Sequence, residues 1–189
     1  MGKFNFQKCI DIEGLYMIEP KLFSDERGYS LETYNSKDFK EAGLDMEFVQ
    51  ENQSMSKKGV LRGLHFQKVF QQGKLVRVTN GEVFDVVVDI REESKTYGKW
   101  FGVVLSAEKK NMLYVPEGFA HGFLVLSDTA EFVYKLSDYY YPEDESGIPW
   151  NDDTLRIEWP IIEGIKVIVS ERDKSHPAFS SSIALKPKK

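Results

Sequence analysis

Four kinds of residue that move protons or hold negative charge stand inside otherwise strand-like runs of this 189-residue sequence. In Val60-Leu61-Arg62-Gly63-Leu64-His65-Phe66-Gln67 a guanidinium and an imidazole lie three residues apart. Strict strand alternation sets Val60, Arg62, Leu64 and Phe66 on one face and Leu61, His65 and Gln67 on the other. Arg62 and His65 can share a pocket only if Gly63 supplies a bulge or a local twist. A histidine between Leu64 and Phe66 is ordinarily a core side chain with a satisfied ring. It is also a natural base near neutral pH. In Ala130-Glu131-Phe132-Val133-Tyr134-Lys135-Leu136, alternation turns Tyr134 inward with Phe132 and Leu136. Such a tyrosine is ordinarily a core residue with one hydrogen bond, and equally a proton donor at the floor of a barrel. Lys74 heads a strand after Gln71-Gln72-Gly73; ordinarily a surface residue, at a pocket mouth it would stabilise an enolate oxygen. Arg27, between Asp25-Glu26 and Gly28, has the setting of a turn residue, and with Arg62 it makes a pair able to hold a phosphate. Acid–base chemistry suits this set best.

Other chemistries fit less well. HxH, HExxH and CxxC spacings are absent, so no metal and no cofactor is expected, although His65 and His121 remain free to meet in space. There is no GxSxG nucleophile, Cys9 sits near a fraying start without local context, and phosphate-binding glycine loops are missing. The net charge of −5 and the pI near 5.4 speak against a nucleic-acid partner. The one basic run, Lys186-Pro187-Lys188-Lys189, reads as a solvated tail. A single cysteine leaves no internal disulfide. Met1-Gly2-Lys3-Phe4-Asn5-Phe6 lacks an apolar leader and a Ser or Thr at position 6, and no run approaches the ~20 apolar residues of a membrane span. A soluble cytoplasmic protein of one domain, residues 1–189, is the expectation, since 41% hydrophobic and 13% aromatic residues suffice for a core.

The elements that must position these groups are mostly short strands. Leu15 to Ile18, Tyr29 to Tyr34 and Phe48 to Ser56 read as extended, the second after the turn Ser24-Asp25-Glu26-Arg27-Gly28. Residues 35–43 form the one clear helical segment, with Asn35 or Ser36 as N-cap and Gly43 as its stop. Asn80-Gly81 between residues 75–79 and 82–90 carries the signal of a hairpin. In the second run Phe84, Val86, Val88 and Ile90 share one face, and Asp85, Val87 and Asp89 the other. Further strands fit residues 100–105, 112–115, 122–126 and 130–136. Residues 139–160 read as aromatic loops over the core, and 167–170 as a last short strand before a fraying end. Strands at such spacing point to an all-β sandwich or barrel.

Several segments, taken in order, resemble one family. They are residues 23–28 (Phe-Ser-Asp-Glu-Arg-Gly), 48–52 (Phe-Val-Gln-Glu-Asn), 61–67, 72–77 (Gln-Gly-Lys-Leu-Val-Arg), 81–86, 115–123 (Val-Pro-Glu-Gly-Phe-Ala-His-Gly-Phe) and 131–135. From about residue 4 to 180 the chain is similar to the dTDP-4-dehydrorhamnose 3,5-epimerases, the RmlC family.

The resemblance implies a cupin-type jelly-roll β-barrel with short peripheral helices and loops, metal-free and paired into a homodimer. It implies conversion of dTDP-4-keto-6-deoxy-D-glucose to dTDP-4-keto-L-rhamnose. By position, His65 would be the base with Asp173 as its partner, Tyr134 the acid on the opposite face, and Lys74 the cation at O4. Arg27, Glu32, Gln50, Glu51, Asn52, Arg62 and His121 would line the nucleotide-sugar site, with Tyr140 on thymine and Glu145 and Arg172 nearby. Arg172 stands where the family often has Lys, and Glu51 where Asp is common; both keep their charge. The chemistry is consistent: C3 and C5 both lie α to the C4 ketone, and inversion needs removal from one face and return from the other. A relative that acts on one carbon or isomerises the ketone, and a cupin that only binds nucleotide-sugars, are the alternatives.

Overall fold

The computed structural model describes residues 3–161, 163–180 and 183–186. Met1, Gly2 and residues 187–189 of the basic end lie outside the described residues. Two antiparallel sheets face each other. Numbered along the chain, the six-stranded sheet has the order β1 (Phe4–Lys8), β2 (Tyr16–Pro20), β10 (Met112–Val115), β7 (Lys74–Asn80), β12 (Thr129–Leu136), β5 (Gln50–Lys57). The five-stranded sheet has the order β13 (Glu145–Gly147), β6 (Leu61–Gln67), β11 (Phe119–Val125), β8 (Glu82–Asp89), β9 (Trp100–Ser106). A small hairpin, β3 (Phe23–Asp25) with β4 (Gly28–Ser30), stands apart, and the helices are α1 (Ser36–Glu41) and α2 (Glu171–Lys174). No described helix is long and apolar enough to cross a membrane.

Alternation explains the layering. On β8 the inward Val83 and Val87 join Val76, Leu113, Phe123 and Phe132 in a cluster between the sheets. The outward Val86, Val88 and Ile90 pack instead under Ile148, Leu155, Trp159, Ile183 and Leu185 of the C-terminal segment. Residues 183–186 are therefore not frayed: Leu185 is buried and pairs with Arg91. Residues 4–8 are not frayed either. β1 pairs with β2, and Phe4 and Phe6 pack edge-on against Phe39 of α1 to cover the outer face of the six-stranded sheet.

Other expectations are met or corrected for physical reasons. Asn35 caps α1, its Oδ1 accepting from the N–H groups of Lys37 and Asp38, and Gly43 follows with φ +87°. The strand expected over 29–34 stops at Ser30, because Glu32 and Asn35 hydrogen-bond each other and commit the chain to the helix start. Asn80-Gly81 is not a hairpin. β7 and β8 belong to different sheets, and both edges of each are already taken, by β10 and β12 for β7 and by β9 and β11 for β8. The turn is a corner at which the chain changes sheet. Residues 167–170 contribute one bridge, Ile168 to Val60, and then Ser170 caps α2.

The bulge at Gly63 is present. On β6, His65 pairs with His121 and Arg62 with Phe123, so Gly63 and Leu64 together oppose the single Gly122. Leu61, Leu64 and Phe66 consequently fall in one core cluster, while Arg62 and His65 both face the cavity between the sheets. Gly63 has φ +131°, and a Cβ there would lie 2.5 Å from Gly122 Cα, so glycine alone fits.

Candidate active site

A cavity of about 270 Å³ opens between the two sheets. The six-stranded sheet supplies Asn52 and Ser54 from β5, Lys74 from β7 and Tyr134 from β12; the five-stranded sheet supplies Arg62, His65 and His121. Tyr140, Glu145 and Arg172 lie at its rim, with Gln72 beside Lys74. The base expected on β6 and the acid expected on β12 thus come from opposing walls.

Each wall is built by alternation. On β5, Gln50, Asn52, Ser54 and Ser56 are the less exposed set, and Glu51, Gln53, Met55 and Lys57 point out. Asn52 Nδ2 donates to Tyr134 Oη at 3.3 Å from the directly paired position, and Gln50 Nε2 donates to Asn52 Oδ1. Arg62 Nε donates to Ser56 Oγ, which holds the guanidinium across the cavity from its own strand. Phe132 lines the floor, stacked on Phe123 at 4.3 Å.

His65 is held from behind. Its Nε2 is 2.9 Å from Asp173 Oδ1, and Asp173 Oδ2 accepts the Gly63 N–H. Burial alone would raise the Asp173 carboxyl; the hydrogen bond and charge of His65 and the Gly63 N–H more than offset it, bringing it to about 2. Asp173 is therefore an anion at neutral pH. With its proton on Nε2, the neutral ring leaves the Nδ1 lone pair free, 3.9 Å from Glu145 Oε1.

Lys74 is buried, and burial pushes its ammonium down to about 8 although Glu145 and Asp85 pull the other way. It can still carry a full charge at neutral pH. At the mouth, Tyr140 Oη donates to Glu145 Oε2 at 2.7 Å, Arg172 pairs with Glu145, and the Tyr140 N–H reaches Gln50 Oε1. Tyr140 remains 42% exposed, an aromatic face open to a flat ring.

Of the expected residues, the structure brings His65, Lys74, Tyr134, Asn52, Arg62, His121, Tyr140, Glu145 and Arg172 to the cavity, with Asp173 and Gln50 directly behind. Three stand elsewhere. Glu51 lies on the outward face of β5, paired with Lys135 at 2.6 Å. Arg27 is on the exposed β3–β4 hairpin, held by Asp25, and Glu32 bonds Lys3 and Asn35.

Two residues were missed. Asp85 is fully buried on β8, and both its oxygens contact His121 Nε2, at 3.0 and 2.9 Å. Burial raises its carboxyl, with His121 and Lys74 opposing. Its signal was there: a carboxylate on the inward face of a valine-rich strand needs a partner. His176, whose ring is 5.8 Å from that of His65, gave no signal in its own neighbourhood of the chain.

Comparison with known proteins bears on this arrangement. The family model described as dTDP-4-dehydrorhamnose 3,5-epimerase matches residues 9–181. The dTDP-4-dehydrorhamnose 3,5-epimerase of Salmonella typhimurium (strain LT2) is 58% identical over 174 residues, 91% of this chain and 94% of that one. Its namesake in Methanothermobacter thermautotrophicus is 52% identical over 175 residues, 93% and 94% of the two chains. The crystal structure of dTDP-6-deoxy-D-glucose-3,5-epimerase from Legionella pneumophila, in complex with dTDP-4-keto-L-rhamnose, superposes with TM-score 0.92 at 45% identity, covering 98% of this chain and 100% of that one.

Proposed function

The chain belongs to the dTDP-4-dehydrorhamnose 3,5-epimerase family, with its cupin-type jelly roll, and we propose from that premise that His65 and Tyr134 work on one sugar ring from opposite sheets. The reaction is inversion of C3 and C5 of dTDP-4-keto-6-deoxy-D-glucose to dTDP-4-keto-L-rhamnose, a step of dTDP-L-rhamnose biosynthesis. The observation that carries the residue assignment is the opposition itself. His65 on β6 and Tyr134 on β12 flank one cavity, with the buried Lys74 on the same wall as Tyr134.

His65 takes the proton α to the C4 ketone onto Nδ1, and Asp173 holds the resulting imidazolium. Electrons from the broken C–H bond move to O4, where the Lys74 ammonium stabilises the enolate. Tyr134 then returns a proton to the other face of the same carbon, and Asn52 fixes its hydroxyl. Each inversion leaves a proton on His65 and takes one from Tyr134, so both are reset before the second carbon reacts. Arg62 and Arg172 meet the diphosphate and Tyr140 stacks on thymine.

The enzyme is one domain that works as a cytoplasmic homodimer. A dimer accounts for Arg27 and Glu32, which lie on or beside an exposed hairpin with Leu22, Phe23 and Tyr29 open to solvent; across an interface they would serve the partner's pocket.

Proton NMR of dTDP-4-keto-6-deoxyglucose in deuterated water tests the reaction. Deuterium is expected at both C3 and C5. Exchange at C3 alone would make the protein a single-carbon enzyme, and binding without exchange would make it a nucleotide-sugar binder.

A further inference from the structure

His176 has no part in the chemistry above. It follows α2, its side chain is 9% exposed, and its Nε2 is buried with no hydrogen-bond partner among the described residues. A buried polar atom left so has lost its water without replacement, which calls for a group that satisfies it. The nitrogen lies 3.8 Å from Asp173 Oδ1, which is itself 2.9 Å from His65 Nε2. One ligand atom from each of these three residues falls within 4.8 Å of the other two. Gly147, paired with His65 across β13 and β6, leaves the space open: a Cβ there would sit 2.3 Å from His176 Nε2.

We infer that His65, Asp173 and His176 form a capture site for a transition-metal cation of the zinc class, and that the ion switches the epimerase off. Two imidazoles and a carboxylate are the donors such ions favour, with a fourth place left to water. Bonds of about 2.1 Å around a tetrahedral ion set ligand atoms about 3.4 Å apart. The spacings of 2.9 and 3.8 Å straddle that value, so small side-chain rotations complete the site.

The inhibition follows from counting protons on one ring. Neutral His65 carries one proton and one lone pair. In the active arrangement Nε2 holds the proton toward Asp173 and Nδ1 is vacant. A metal takes the Nε2 lone pair, so the same proton must stand on Nδ1, the atom that has to be empty to accept one from the sugar. No proton is gained or lost and nothing is oxidised. Magnesium and calcium, which prefer oxygen shells, would leave the enzyme working.

The inhibition rests on His65 being the base; the binding does not, and the two are measured separately. Zinc is titrated into the metal-free full chain by calorimetry, and turnover is followed in parallel. One ion per chain is expected, with turnover falling in step with occupancy, restored by a chelator and untouched by magnesium. His176→Gln should weaken zinc by more than the roughly 10–100-fold that loss of an outer-shell partner costs, with metal-free turnover unchanged. Cobalt(II) should give the visible absorption of a tetrahedral site in the native chain and not in the variant. Should His176→Gln fail to fold, Gly147→Ala fills the space before Nε2 and should abolish uptake with all three ligands in place. No binding at millimolar zinc, or binding that His176→Gln leaves intact, would overturn the site. Zinc held by these residues with full turnover would overturn instead the role of His65.

Discussion

Asp85 and Asp89 stand four residues apart on the same face of β8, and neither has any exposed surface. They differ in what surrounds them. Asp89 accepts from the Arg91 N–H, Nε and Nη2 and from the hydroxyls of Ser94 and Thr96. Burial would raise its carboxyl, but these donors more than offset it and hold it below the ordinary value. Asp85 meets His121 in the cavity wall, and there burial wins and its carboxyl is raised. One strand therefore carries a carboxylate that stabilises the fold and another that strains it. On β8, saturation by donors goes with the structural carboxylate, and the undersupplied buried charge is the one beside the cavity.

The signs follow from linkage. Asp89, depressed in the fold, contributes stability that is present above the ordinary carboxyl range and is lost as pH falls through its lower folded value. Asp85, raised in the fold, does the opposite: its burial as an anion costs stability above its folded value. Lys74 resembles Asp85. Its ammonium, lowered to about 8, makes the fold more stable as pH rises from there toward 10.5, while the charge proposed to act at O4 disappears over the same range.

The contrast can be broken at either end. His65→Ala should have the largest effect, a fall of about 10²–10⁴-fold in turnover with deuterium exchange lost at both carbons. Its chemical denaturation midpoint should fall less than that of Asp89→Asn, because Asp173 keeps the Gly63 N–H when it loses the ring; a drop as large would place His65 on the structural side with Asp89. Asp89→Asn should do the reverse, costing about 3–5 kcal/mol, or roughly 6–20 °C in melting temperature. The folded fraction should retain native kcat, and loss of kcat without loss of stability would erase the distinction. Lys74→Arg should lower kcat/KM by up to about 10²-fold and remove the alkaline limb near 8 that the native profile is expected to show. A native profile flat to pH 9.5 would refute that role for Lys74. Asp85→Asn should be the mildest, lowering kcat/KM about tenfold while leaving the melting temperature unchanged or higher. A drop of several degrees would show Asp85 to be another Asp89.

Much of this was legible along the chain, and the gaps have physical causes. Strand periodicity gave β5, β8, β9 and β12 to within about two residues, because each has one face in a core. Asn80-Gly81 misled, since a tight turn reverses the chain equally well within a sheet or between sheets; only pairing partners distinguish the two. The cavity side of β5 was visible in Gln50 and Asn52, yet Glu51 between them necessarily points away. His176 could not be found, because its meeting with His65 depends on how the C-terminal segment closes over β6 and β13. The need for a bulge at Gly63 was readable beforehand, from two polar residues an odd number apart on one strand.

That bulge says how such a site can be gained or lost. Straightening the strand at Gly63 while keeping every residue would restore unbroken alternation and, with Arg62 held in place, turn Leu64 toward the cavity and His65 toward the apolar core. With the same residues in the same order, the strand that presents Arg62 and His65 together differs from one that separates them only in how its backbone pairs with β11.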